Sequence, residues 1–562
     1  MRSLVTLLIA VLGFVGATPN VHAAPDDSAR EAAAVDQLFQ HSITPMSPGC
    51  AVAVMKDGRV AYEHGYGMAD LDHDVKITPT TIFHVGSISK QFTAAAVLML
   101  ARDGKLSLDE PVRKYVPELP DFGVPITLRH LLHHTSGLRD QWDLLGFDGW
   151  RIGNDLITDD DVLTVLSHQK ELNFPPGSEF MYSNTGFTLL AQVVARVSGQ
   201  SFRDFTTSQL FQPLGMNQTH FRDDHGEIVK NIAYGYQPGG SAYELSVPNY
   251  DTVGATSLLT TVEDLARWDE NFYTARVGGE EVIKGLQQRG RLNDGTQISY
   301  AAGLVIEEYR GQKIVDHAGG DAGYIADLIR FPTQHFSVAT LCNLATIDPS
   351  AMSRQVADIY LSKYLTPKPL PQAGIRVHFQ PDPKKLAAKV GTYVNPHTDA
   401  FVRLKVRNGM LWDDQDGYGG PRYALEAVTE NQFRIPDFPV EFDFGRSSRA
   451  PLTISTTGSD RSSSDFNRSS EYAPSAAELR EFAGTYRSDE LEIPYYVVYE
   501  NDSLMLSSLK TSRLPLFPVT KDLFARPSLR ARFIRDTQGH VSGLLLTSNR
   551  IRRLRFARSK RP

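Results

Sequence analysis

Cysteine is nearly absent, with only Cys50 and Cys342 in 562 residues, so bridges are not what holds so long a chain together. Each lies in a strand-like run, Cys50-Ala-Val-Ala-Val-Met55 and Phe336-Ser-Val-Ala-Thr-Leu-Cys342. Export would permit a bond between them, but the expected reading is two buried thiols packed as small apolar side chains. An excess of positive charge is also missing. Lys and Arg number 58 against 65 Asp and Glu, a net charge of -7, which gives no basic footprint for nucleic acid. Beyond Ala17 no run is long and apolar enough to span a bilayer. Helical periodicity, finally, is almost missing after Pro367.

The one apolar run follows Arg2, extends from Ser3 to Ala17, and leads to Val21-His22-Ala23. Small residues at the last and third-last of these positions suit cleavage after Ala23. Residues 1–23 therefore read as a signal peptide, which predicts a secreted or periplasmic protein with no stable membrane insertion once the leader is removed.

With 41% apolar residues, 562 residues exceed what one core organises, so several domains are expected. In the first, residues 24–366, strands and helices are mixed. A helix near 28–41 precedes an antiparallel pair, Val52 to Met55 and Val60 to His64, turned by Asp57-Gly58. Helical patterns follow at 89–102, 128–134, 185–197 and 262–268, strands at 301–307, 324–331 and 336–344, and a last helix at 350–364. The class is α/β (α+β): an antiparallel sheet shared by the two ends of the domain and flanked by helices. A proline-rich linker starts at Pro367.

The tail repeats itself. Leu386, Gly391-Thr-Tyr393, Asn408 and Leu411 recur 93 residues later as Leu479, Gly484-Thr-Tyr486, Asn501 and Leu504. Each unit closes on Phe-x-Arg, at Phe466-Asn-Arg468 and Phe556-Ala-Arg558. Alternating runs such as Val402-Arg-Leu-Lys-Val406 predict two small antiparallel β-barrels, residues 367–473 and 474–562.

Phe83-His-Val-Gly-Ser87-Ile-Ser-Lys90 is the segment with chemistry in it. A strand-like stretch passes through Gly86 into a helix, so Ser87 stands near a helix N-terminus whose free N–H groups stabilise developing negative charge. Lys90, three residues on, shares its face and, if desolvated, can take the serine proton. Tyr182-Ser-Asn184 offers a phenol and an amide at the start of another helix, where a phenolate could serve as base and the amide could orient lysine and substrate. His317-Ala-Gly-Gly320, just before a strand, offers an imidazole and small residues that let backbone N–H groups approach a substrate.

Those three segments, in that order, resemble the class C branch of the penicillin-recognising serine hydrolases: class C β-lactamases, D-alanyl-D-alanine carboxypeptidases, D-aminopeptidases and related esterases. Their pattern is Ser-x-x-Lys, Tyr-x-Asn and Lys/His-x-Gly, supplied here by Ser87/Lys90, Tyr182/Asn184 and His317/Gly319. Accessory segments match at Gly104-Lys-Leu-Ser-Leu-Asp-Glu-Pro111 and Leu131-Leu-His-His-Thr-Ser-Gly137. The resemblance implies Ser87 as acylated nucleophile, Lys90 and Tyr182 as proton-transfer pair, Asn184 as orienting amide and His317 as a substrate-facing residue. It places the oxyanion hole at the backbone N–H groups of Ser87 and Gly320. It implies no cofactor and no metal.

Histidine at the third motif resembles the peptidase and esterase members rather than the lactamases, which carry lysine there. A catalytic domain followed by two eight-stranded barrels resembles bacterial D-aminopeptidases, in which a loop of the final barrel enters the active site. The implied substrate is a short D-amino-acid peptide or a peptidoglycan-derived fragment. Carboxypeptidase, esterase or weak lactamase action and an inactive binding protein are the alternatives.

Other conspicuous groups read plainly. His130, His133 and His134 are expected to pack and hydrogen-bond rather than hold a metal. Asp413, Asp414 and Asp416 lack the spacing and closing glutamate of a calcium loop, and read as an acidic turn. His73 and His225 read as surface histidines.

Overall fold

The computed structural model describes residues 27–240, 242–367, 379–414, 422–436, 438, 440–445, 450–456, 463–470, 472–509 and 512–559. The proposed leader and most of the proline-rich linker lie outside them.

The first strand, Cys50–Lys56, is buried on both faces until its last residue. Alternation explains how: Cys50, Val52 and Val54 face one apolar layer, and Ala51, Ala53 and Met55 the other. Asp57 and Gly58 take positive φ, 51° and 73°, and turn the chain into Arg59–Tyr66, the exposed edge of the sheet. The six-stranded sheet runs Val305–Tyr309, Gln312–Asp321, Tyr324–Phe331, Phe336–Cys342, Cys50–Lys56, Arg59–Tyr66, antiparallel throughout. The two ends of the domain thus share one sheet, as expected. Strand Gln312–Asp321, with His317 inside it, extends the expected set.

Helices Asp27–Ser42 and Pro349–Tyr360 cover one face. The other packs on a helical body around Ser89–Arg102, in which every residue from Ser89 to Leu100 is buried. A helix buried all round belongs in a core, and its few polar side chains need partners there. Among the described residues no helix is long and apolar enough to cross a membrane.

The expectation of two free thiols is corrected. Cys50 and Cys342 are bonded, S–S 2.04 Å. They stand directly opposite each other on neighbouring antiparallel strands, a register that their sequence separation of 292 could not reveal.

Both tail units are closed eight-stranded barrels. Of the repeated landmarks, Gly-Thr-Tyr and Phe-x-Arg form the seam at which each barrel closes, because they lie on the first and last strands, which pair there. Arg468 Nη2 donates to Val390 O at 2.6 Å, and Arg558 makes the same bond to Ala483 O. Tyr393 and Tyr486 each donate to the carbonyl four residues back. A Cβ on Gly391 or Gly484 would stand 3.1 or 2.9 Å from the guanidinium Nε of Arg468 or Arg558, so glycine leaves the arginine its path.

The second barrel joins the catalytic domain through a continuous apolar core. Glu490 accepts from buried Arg139 at 2.6 Å and from the Lys170 amide at 2.8 Å. Tyr495 donates to Phe147 O, Asn173 bonds the backbone of Arg550 and Arg552, and Arg552 pairs with Glu179. Barrel one keeps a separate core and meets barrel two through a small apolar cluster, Val394 and Phe401 against Val519, Leu523 and Ala525, and through Asp399–Arg532, 2.6 Å.

Two acidic residues read as a turn are corrected. Asp413 and Asp414 end the strand Met410–Asp414, and the Asp414 carboxylate is fully buried between Lys405, Arg407 and Arg422. Asp416 lies outside the described residues. His73 and His225, at the surface, have carboxylate partners, Asp70 and Asp251.

Candidate active site

Ser87 lies in the short turn Gly86–Ile88 ahead of the helix Ser89–Arg102, half-buried. Two glycines bring the third-motif strand against this turn. Gly86 has φ of +50°, and a Cβ there would stand 2.7 Å from Gly320 N. On Gly319 it would stand 2.0 Å from Val85 O and 3.0 Å from Ser87 N. Any side chain at either position would push apart the two stretches of backbone expected to form the oxyanion hole. Ser89 fixes the turn, donating to Gly86 O at 2.6 Å and accepting from Leu258 N at 3.1 Å.

Lys90 is fully buried. Its ammonium uses all three protons: to Ser87 Oγ at 3.0 Å, Asn184 Oδ1 at 2.9 Å and Ala255 O at 2.6 Å. None of these partners carries a charge. Burial therefore dominates and pushes the amine down to about 7, with Asp140 pulling it up and Arg550 pushing it further down. Asp140 acts from behind Asn184, whose backbone N and Nδ2 donate to its Oδ2 at 2.7 and 2.9 Å. This turns the amide oxygen toward Lys90 and the amide nitrogen away.

The Tyr182 ring packs on His134, centroids 4.1 Å apart, and lies 5.0 Å from Lys90 Nζ. Burial raises the phenol above its ordinary range, against the opposing pull of a hydrogen bond with Ser87 and of the Arg550 charge. This differs from the expectation of a resting phenolate base: the phenol holds its proton, and Lys90 is the group that can be without one near neutral pH.

His317 sits inside its strand, paired with Leu328, rather than ahead of it. Its Nε2 meets the Tyr300 hydroxyl at 3.0 Å and its Nδ1 meets Ala318 O at 2.6 Å, so Nδ1 carries the hydrogen and Nε2 accepts. Burial, then the Lys90 charge, lowers it to about 4, so the ring is neutral. Where lactamases present a cation at the third motif, this position presents a neutral ring.

Ser87, Lys90, Tyr182, Asn184, His317 and the Gly319–Gly320 backbone thus lie around one centre. Sequence reasoning missed Asp140, Tyr300 and Arg550, whereas His134, expected to pack and hydrogen-bond, packs on Tyr182 and accepts from Ser183 N at 3.2 Å. Asp140 stands three residues past the accessory segment ending at Gly137, a proximity that could have flagged it. Tyr300 and Arg550 carry no such signal. His130 caps its helix with Thr127, as a hydrogen-bonding role requires, and the only cluster of metal-ligand type among the described residues is Asp224, His225 and Asp251.

This fold, with these groups around one serine, is that of the penicillin-recognising serine hydrolases. Residues 35–361 match the family model for beta-lactamase, so the chain belongs to the beta-lactamase family. Penicillin-binding protein 4* of Bacillus subtilis (strain 168) is 31% identical over 308 residues, 52% of this chain and 67% of that protein. Protein flp of Staphylococcus aureus (strain N315) is 29% identical over 323 residues, 55% of this chain, which spans 62% of that relative's length. The octameric penicillin-binding protein homologue from Pyrococcus abyssi shares the fold with TM-score 0.53 and 24% identity, covering 79% of this chain and 100% of that one. D-amino acid amidase from Ochrobactrum anthropi SV3, solved with D-phenylalanine, does so with TM-score 0.51 and 19% identity over 60% of this chain and 100% of that one.

Proposed function

We propose that the protein cleaves amide bonds of short D-amino-acid-containing peptides through an acyl-enzyme on Ser87, in the manner of a D-aminopeptidase. The observation that carries this reading is the buried Lys90, weakly basic and hydrogen-bonded to Ser87. Neutral Lys90 accepts the hydroxyl proton as Ser87 Oγ attacks the carbonyl, and the backbone N–H groups of Ser87 and Gly320 receive the oxyanion. Protonated Tyr182 gives its proton to the departing amine and regains one from Lys90. Water then releases the acid and restores Ser87. The solved relative with bound D-phenylalanine supports the D-residue preference, and the bridged cysteines fit an oxidising compartment where peptidoglycan peptides are met. Neutral His317 argues against efficient lactam hydrolysis.

A carboxypeptidase reading is favoured by one observation, the Arg550 guanidinium over Tyr182. Rates on D-alanyl p-nitroanilide, an acylated D-alanyl-D-alanine peptide, p-nitrophenyl butyrate and nitrocefin rank the readings, with the anilide expected first and nitrocefin last. Fluorophosphonate should label the native chain and not Ser87→Ala. An unlabelled native chain would make this a binding protein.

A further inference from the structure

Between the helix Gln141–Phe147 and the second barrel lies a cavity of about 520 Å³. Trp142, Asp143 and Phe147 line it on the catalytic side, Arg526, Asn549 and Arg550 on the barrel side. Arg550 connects it to the reacting centre, its guanidinium carbon 5.0 Å from the Tyr182 ring centroid.

The two guanidiniums are underused. Arg552, two residues from Arg550, grips Glu179 with two bonds of 3.1 and 2.9 Å. Arg550 instead reaches Asp140 Oδ2 at 3.5 Å, longer than a charge-assisted hydrogen bond, and that oxygen already serves Asn184 twice. Its side chain stays 40% exposed, while its backbone carbonyl is held by Asn173 at 2.9 Å. Arg526 is half-buried and pairs with no carboxylate among the described residues, and burial lowers its pKa. A cation withdrawn from water without a counter-charge is costly, and an incoming anion removes the cost. The cavity's own carboxylate, Asp143, accepts from Ser548 Oγ and is raised by burial, so it competes weakly. Trp142 and Phe147 supply an apolar wall beside the cations.

We infer that this cavity is the substrate's carboxylate subsite, in which Arg550 and Arg526 hold the free carboxylate of a short peptide whose scissile carbonyl faces Ser87. The inference rests on the hydrolase reading and specifies its substrate class: peptides bearing a free carboxylate, with an apolar side chain tolerated next to it. Arg550 is then a specificity residue, supplied across the domain boundary.

Two measurements test it. Calorimetry on the full-length Ser87→Ala chain compares D-alanyl-D-alanine with D-alanyl-D-alaninamide, and should find the carboxylate bound at least ~tenfold more tightly. Adding Arg550→Gln or Arg526→Gln should lower that ratio by about threefold each, and both together should bring it near one. Arg526→Gln touches neither Tyr182 nor Asp140, so its effect cannot come from disturbing them; circular dichroism confirms the fold of each variant. In the active chain, Arg526→Gln, which lies away from Lys90 and Tyr182, should act on the carboxylate substrate through KM rather than kcat. Equal binding of the two ligands, or variants that weaken both alike, would overturn the subsite. Because binding is read without turnover, failure of the hydrolase reading shows separately, as a native chain that fluorophosphonate does not label.

Discussion

The loop after the first strand of each barrel does the same job with a different partner. In the first barrel, Asp399 of this loop binds Arg532 of the second barrel. In the second, the Glu490 carboxylate of the corresponding loop binds Arg139, and the Glu492 backbone N–H donates to the Asp148 carboxylate of the catalytic domain. Position 492 is the 93-residue counterpart of 399. The barrels are therefore stacked head to tail, and only the second merges its core with the domain that carries Ser87. The seam residues Gly-Thr-Tyr and Phe-x-Arg make the barrel, whereas a few residues in one loop decide where it docks.

The sharpest contrast is predicted between Glu490→Ala and Asp399→Ala. Arg139 has a side chain only 1% exposed, so losing Glu490 strands it; Arg532, 28% exposed, can turn to water. Loss of Glu490 should cost about 3–5 kcal/mol and Asp399 about 1 kcal/mol in urea denaturation. Only the former should slow fluorophosphonate labelling, because Arg139 precedes Asp140, the residue that orients Asn184. Equal costs would break the comparison.

Replacing Cys50 and Cys342 by alanine should destabilise the catalytic domain by about 2–4 kcal/mol, through freedom restored to a long unfolded loop. The first barrel contains no cysteine and keeps its own core, so its unfolding should not move in calorimetry. A shift in the barrel transition would mean that the domains unfold as one.

The shared seam should respond alike in both barrels. Arg468→Ala frees Val390 O, Arg558→Ala frees Ala483 O and Val541 O, each opens space beside one glycine, and each should cost about 1–2 kcal/mol. Unequal costs would show that the repeat is a likeness of sequence only.

The smallest effect concerns pH. Labelling requires neutral Lys90, so it should rise with pH through about 7 and be lost below. Arg550 helps to keep the lysine pKa down, so Arg550→Gln should move that midpoint upward, while Arg468→Ala leaves it in place. Lys90 also affects stability. Its folded pKa lies below the unfolded value, so between about 7 and the ordinary lysine range the unfolded chain binds more protons and stability rises with pH.

Much of this was legible beforehand, for reasons that can be named. The spacing of Ser87 and Lys90 is a local helical relation, and Asp57-Gly58 encodes its own turn. The barrel plan was visible because Leu386, Gly391-Thr-Tyr393, Asn408 and Leu411 repeat at one offset of 93 residues. Strand Gln312–Asp321 was missed because its glycines and charged residues hide the alternation, although the glycines are what let it approach Ser87. The acidic run at Asp413 and Asp414 looked like a turn because the three cations around Asp414 are contributed by neighbouring strands.

By itself the sequence determined the order of the motifs, the helix that carries Ser87 and Lys90, the split between a mixed domain and a β tail, and the two-barrel plan. These follow from periodicity, turn chemistry and short-range spacing, which act along the chain. Tertiary structure alone decided that Cys50 meets Cys342, that His317 is neutral against Tyr300, that Asp140 stands behind Asn184, and that Arg550 overhangs Tyr182. Each of these depends on register, burial or docking between segments far apart in the chain, and a side chain's charge is set by the water and partners that packing leaves it.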